Sequence, residues 1–297
     1  MIYLVLSILA STLISLIFKY FHTYQIDNGR AILINYLTCI LTGLVFYGSE
    51  LEVSELLISG RIWDWATFPN WLFNALALGI LFIVTFIAMA KTTQYIGVST
   101  SVVSAKMAVV FPVLFGILYW NESYSVLIVF GVLLSLLGVF FIAYGKTGLG
   151  NISKGKAILF PILVFVGSGV IEINLKIIEK ASAPMHWSGP TLIIFIGAFL
   201  SGLVYFIATG KLFQIRWRDV LGGIFLGVPN FFSILFVLAA LGQTKLPAVT
   251  VLPVNNIGIV LLSTILSVLL FKEKLNRRNI LGVAAAVSAI LLMTLRG

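Results

Sequence analysis

Residues 88–142 lie over residues 239–293 without a gap, so the chain carries one long segment twice. Ala88 meets Ala239, Thr93 meets Thr244, Val98 meets Val249, and further on Glu122 meets Glu273 and Gly131-Val132 meets Gly282-Val283. The offset of 151 becomes 157 nearer the start of each copy, where Ser11 meets Ser168 and Lys19 meets Lys176. Such a shift implies a few residues gained or lost in the intervening loops, which tolerate length changes. Whatever architecture the first half adopts, the second must adopt too.

Composition then decides the solvent. Hydrophobic residues make up 60% and charged residues 10% of the chain, against roughly 25% charged in a soluble domain. A spanning helix needs about 20 apolar residues. Apolar segments near 2–20, 30–48, 70–90, 98–119, 124–144, 156–177, 190–209, 220–241, 247–271 and 278–295 supply ten. The connections leave no room for a separate soluble domain. The expected fold class is an all-α membrane protein of ten transmembrane helices.

Five spans per copy is an odd number, so the second copy enters the bilayer upside down relative to the first. The predicted organisation is two inverted five-helix repeats, 1–150 and 151–297, forming one integral membrane domain. Two such bundles enclose a site between them at mid-depth and can open it to either side in turn, the principle of alternating access. The last span of each half carries small residues four apart, Gly131 and Ser135 in one and Gly282 and Ala286 in the other. This spacing predicts close helix contact, either between these two spans or across a homodimer.

The net charge is +9, which could suggest a nucleic-acid partner, but its distribution points to a bilayer. Thirteen of the 19 Lys and Arg flank the odd-numbered loops, among them Lys19, Arg30, Lys91, Lys154, Arg216 and Lys272. Only Arg61, Lys180, Lys245 and Arg296 lie on the other side. The positive-inside bias places the odd loops in the cytoplasm and both termini outside, in a multi-pass protein of the cell (inner) membrane. Met1-Ile2-Tyr3 offers no basic leader. The single Cys39 permits no intrachain disulfide and reads as a small packing residue.

Two matched motifs add a resemblance. Trp120-Asn121-Glu122 followed by Gly131, and Phe271-Lys272-Glu273 followed by Gly282, place an acid between the fourth and fifth helices of each repeat and a glycine nine positions later. With Lys19 closing span 1 and Arg30 opening span 2, the chain resembles the EamA-like branch of the drug/metabolite transporter superfamily over its whole length. Asn121 and Lys272 stand where glycine often precedes that acid in the family. The resemblance implies a secondary-active transporter of a small polar metabolite, such as an amino acid, an organic anion or a related compound.

Charges inside hydrocarbon cost at least ~2.5 kcal/mol each on insertion scales, so each requires a reason. Lys106 lies deep in span 4 and is the leading candidate for a substrate-binding group. In span 9, Asn255 meets Ser104 in the repeat register, and Asn256 falls one step from Lys106. The spacing predicts two polar helices at one depth, with Pro253 freeing a carbonyl nearby. Glu172 and Lys176 stand four apart on one face of span 6, in the favourable order for an ion pair. Glu172 is the one acid within the predicted spans, so any proton coupling through an internal carboxylate would use it. The three charges net to one positive, which favours an anionic or zwitterionic substrate at Lys106. Asn230 follows Pro229, where a break in span 8 is expected, and is a secondary candidate. Asn35, Asn74 and Asn174 read as interhelical hydrogen-bonding groups.

Other chemistry finds little support. Gly145-Lys146-Thr147 lacks the earlier glycine of a phosphate loop, since Phe140 stands there. His22 and His186 are far apart and suggest no metal site. No cofactor is expected, and no acid–base or nucleophile constellation points to a lipid-embedded enzyme. A passive channel is the other alternative, separable from a carrier by saturable uphill flux.

Overall fold

The computed structural model of the protein describes residues 2–48, 70–119, 125–144, 154–182, 188–210, 214–243 and 248–294. The acids Glu50, Glu52, Glu55, Asp64 and Glu122 lie outside the described residues, as do Trp63, Trp65, Trp120 and Trp187. Among the described residues there is no strand. In order the helices are α1 (Ile2–Thr23), α2 (Asn28–Tyr47), α3 (Asn70–Tyr95), α4 (Val98–Lys106), α5 (Val110–Tyr119) and α6 (Val126–Tyr144). They continue with α7 (Lys154–Ser182), α8 (Ser188–Ala208), α9 (Trp217–Gln243), α10 (Ala248–Phe271) and α11 (Arg277–Thr294). A backbone without water must satisfy its polar groups internally, which a helix does residue by residue.

Eight candidate spans are long and apolar enough to cross a bilayer; one of them, Val98–Tyr119, runs through α4 and α5. α6 contributes a shorter apolar stretch, Val126–Gly138, and α11 opens on the polar Arg277-Arg278-Asn279. The chain is a multi-pass membrane protein. Its helices overrun the hydropathy limits at several ends. α9 begins at Trp217 rather than near 220, which brings Asp219 inside a helix, as Glu172 and Glu179 are inside α7.

The breaks fall elsewhere than Pro253 and Pro229 predict. α9 and α10 run uninterrupted through those prolines. Helix α9 is pressed against α2 before Pro229, at Gly223 and Gly227, and after it, where Phe231 meets Gly43, and close neighbouring helices make a proline tolerable inside a membrane helix. The interruption is in span 4 instead, where a 3-10 turn, Met107–Val109, separates α4 from α5. Pro112 accounts for it. Its missing N–H would have bonded the carbonyl of Ala108, and its ring crowds that same carbonyl.

Packing runs mainly between the two halves of the chain. α2 and α1 lie along α9, α3 lies along α7 and α8, α2 meets α8, and α6 lies along α11. The expected contact of the two last spans is thus made within the chain. A methyl at Gly138 of α6 would come within 3.4 Å of Ala285 and 3.5 Å of the Gly282 carbonyl. Two other crossings depend on glycine still more. A Cβ at Gly227 would lie 2.7 Å from the Asn35 carbonyl, one at Gly223 would lie 2.7 Å from the Ala31 carbonyl, and Gly79 meets Gly197 backbone to backbone. Between these crossings sits an aromatic core in which Tyr36 packs against Phe86 and Phe195, and Phe195 against Phe231. Cys39 is fully buried in the same seam, with its Sγ 3.3 Å from the Gly227 carbonyl.

Candidate functional site

Every residue from Val98 to Val110 is buried except Lys106, which keeps partial exposure. The segment is enclosed by α7, α10, α3, α11, α6 and α1. Lys106 is thus the one residue of this enclosed segment that keeps accessible surface. Lys106 also ends α4. It sits at the negative end of that helix dipole, which favours a cation there.

Glu172 is partly exposed too, on α7, which packs against α4. Among the described residues no ion pair joins Glu172 to Lys106, so the ammonium and the carboxylate stand more than 4.0 Å apart. The sequence pairs Glu172 with Lys176 on the same helix. Of Lys176 only the backbone, within α7, is described. Phe111, five residues beyond Lys106, packs on Gly169 of α7 and stacks obliquely on Phe165 at 5.0 Å.

Ser104 and Asn255 are both buried, and neither Ser104 Oγ nor Asn255 Oδ1 has a hydrogen-bond partner. Unpartnered buried polar atoms are costly and call for a reason. The two do not share a depth, however. α4 and α10 touch through Ser99 and Ser267, whose hydroxyls are 3.0 Å apart. Counting inward from that contact at 1.5 Å per residue, Ser104 lies about 7.5 Å in and Asn255 about 18 Å in. Register under an inverted repeat equates positions across an axis, which gives equal depth only at the midplane. Asn256 is buried beside Asn255. Lys106, Ser104 and Glu172 stand on the adjacent helices α4 and α7, and by the same count Asn256 and Asn255 lie about 6 and 7.5 Å further in than Lys106.

Asn230 has a different task. Its Nδ2 donates to Asn35 Oδ1 at 3.2 Å, and the Ser233 hydroxyl donates to its carbonyl at 2.8 Å. It joins α2 to α9, as Asn35 was expected to do with some neighbour. The signal for this seam was present in the sequence as Gly223 and Gly227, four apart.

At the end of the bundle rich in Lys and Arg, a network absent from the sequence reading forms around Asp219, which is fully buried. Its Oδ1 accepts from the Asp27 N–H at 2.9 Å, and its Oδ2 accepts from the Arg216 N–H at 3.1 Å. Arg216 Nη2 lies 3.3 Å from Oδ1 and Arg30 Nη1 lies 3.6 Å from Oδ2. These hydrogen bonds hold the Arg216 guanidinium above its ordinary range. Asp27 in turn caps α2 by accepting from the Arg30 N–H at 3.0 Å. The N-termini of α2 and α9 are thereby tied together. No group of metal-ligating residues occurs among the described residues.

Two comparisons bear on what this arrangement serves. The sequence profile of the EamA-like transporter family matches residues 155–295, the second half of the chain. An uncharacterized protein of Haemophilus influenzae (strain ATCC 51907 / DSM 11121 / KW20 / Rd) is 30% identical over 289 residues, covering 97% of this chain and 95% of that protein. The multi-pass helical architecture agrees with the profile, and the chain belongs to the EamA-like transporter family, within the drug/metabolite transporter superfamily.

Proposed function

We propose that the protein is a secondary-active carrier of a small anionic or zwitterionic metabolite, bound between two inverted five-helix repeats beside Lys106. Residues 1–150 and 151–297 form the repeats, with α4 and α5 together counting as one span, for ten in all. The packing supports this reading through its symmetry. Exchanging each span for its repeat partner turns the α3–α7 contact into α9–α1, and α3–α8 into α9–α2, and all four contacts occur.

One observation carries the site: Lys106 is the sole partly accessible side chain on an otherwise buried, six-fold enclosed segment. Its ammonium offers a partner to a carboxylate or phosphate. Glu172, on the adjacent helix α7 and too distant for a salt bridge, offers one to a substrate amine. A break next to the binding group lets the segment adjust as substrate enters. The basic loops and the family together favour the inner membrane, with the Lys- and Arg-rich face in the cytoplasm.

Thermal stabilisation of the purified protein tests the site, using amino acids, organic anions, sugars and nucleosides as probes. A bound ligand at 100 times its Kd raises stability by about 2.7 kcal/mol. The expected responders carry a carboxylate or phosphate, and Lys106→Ala abolishes the response while the protein still folds. A Lys106→Ala protein stabilised by the same compounds as wild type would remove Lys106 from the site.

A further inference from the structure

Helix α4 has no cap of its own. Its N-cap position is Gly97, which has no side chain and holds φ at 140°. The cap comes from the other half of the chain. Glu273, just past the end of α10, accepts from the Val98 N–H through Oε1 at 2.9 Å. The same oxygen lies 3.2 Å from Lys19 Nζ, which also reaches the Thr93 carbonyl at 3.4 Å. The pair is largely shielded, at 18% and 12% exposure, so it is screened less than a surface pair.

The local backbone is shaped for this contact. Lys272 holds φ at 52°, and the Glu273 N–H folds back to the Ser267 carbonyl at 3.3 Å. A Cβ at Gly97 would lie 3.1 Å from the Glu273 carboxylate, so a larger residue would crowd the acid that supplies the cap. Tyr20 and Phe271 meet edge to face at 5.0 Å beside it, and Ser99 meets Ser267 one turn inward. Three segments of the first half, the ends of α1 and α3 and the start of α4, thus converge on one carboxylate of the second.

We infer that the Lys19–Glu273–Val98 contact is a latch that closes the path to Lys106 at the basic face and is released each time that face opens. The inference rests on the carrier reading above. Separating the halves at this face uncaps α4 and parts an ion pair, so the closed form is favoured by charge-assisted hydrogen bonds. The repeat register carries the same residue types at Lys176, Glu122 and Val249. An inverted pair that closes each face in turn requires such a duplication.

Thr100 provides the reporter. It is 1% exposed, its Oγ has no partner, and it sits two residues inward of Val98. In a Cys39→Ser background, Thr100→Cys would be labelled with a maleimide dye, with a melting curve recorded for each variant. Lys19→Met leaves the cap on Val98 and removes only the ion pair; Glu273→Gln removes the charge from the other side. Each is expected to raise the labelling rate on the order of tenfold, a population shift equivalent to about 1.4 kcal/mol. The double variant should gain no more than either single, because both remove one interaction. Unchanged rates in folded variants, or gains that add in the double, would overturn the latch. Neither result touches the ligand response of Lys106, and loss of that response would leave the labelling result standing.

Discussion

At the scale of single residues, the basic face shows how a buried acid is held in a membrane helix. Asp219 is surrounded by two backbone N–H donors and two guanidinium groups, which replace the water it has lost. Removing one partner of a buried charged set typically costs 3–5 kcal/mol. Arg216 remains 52% exposed and recovers water, so Asp219→Ala should cost less, about 2–3 kcal/mol. Thermal unfolding in detergent would read this as a lowered midpoint, and Asp219→Asn should lie between the two. Lys106 was legible in the sequence because a deep charge stands out against apolar neighbours. The packing of its helix against α7, which carries Glu172, was not, since spacing within one helix says nothing about which helix lies opposite. The pairing of Glu273 with Lys19 escaped for the same reason: the two are 254 positions apart and meet only when the halves are assembled.

Helices pose a different problem. Hydropathy located the spans because every apolar run of sufficient length has one satisfactory home. Helix ends and breaks depend instead on hydrogen-bond partners, so Asp219 was left outside its helix and the break was expected at the wrong prolines. Pro112 interrupts span 4 while Pro229 does not interrupt α9, and the difference lies in the helices alongside. The α2–α9 seam is the element most sensitive to substitution. Overpacking a tight contact costs about 1–3 kcal/mol. Gly227→Ala places a methyl 2.7 Å from the Asn35 carbonyl and should fall at the upper end of that range. Gly155, with nothing within 4 Å of its notional Cβ, should accept alanine without loss. Comparing the melting temperatures of the two variants checks the seam directly.

For the whole molecule, the repeat in the sequence anticipated the exchange of partners between spans, because duplicated surfaces pair in duplicated ways. Orientation follows from charge rather than from shape. The positive-inside bias of the sequence predicts that a reporter fused after Gly297 registers outside the cell. A cytoplasmic signal would reverse the assignment of faces without altering the site.

The interruption after Lys106 also sets the size of the moving part. α4 has nine residues, a rod about 13 Å long at 1.5 Å per residue. Pivoting it by about 20° on the 3-10 turn would swing its free tip by about 4–5 Å. A doorway for a small solute could then be made by one short lever, with the remainder of the bundle standing still.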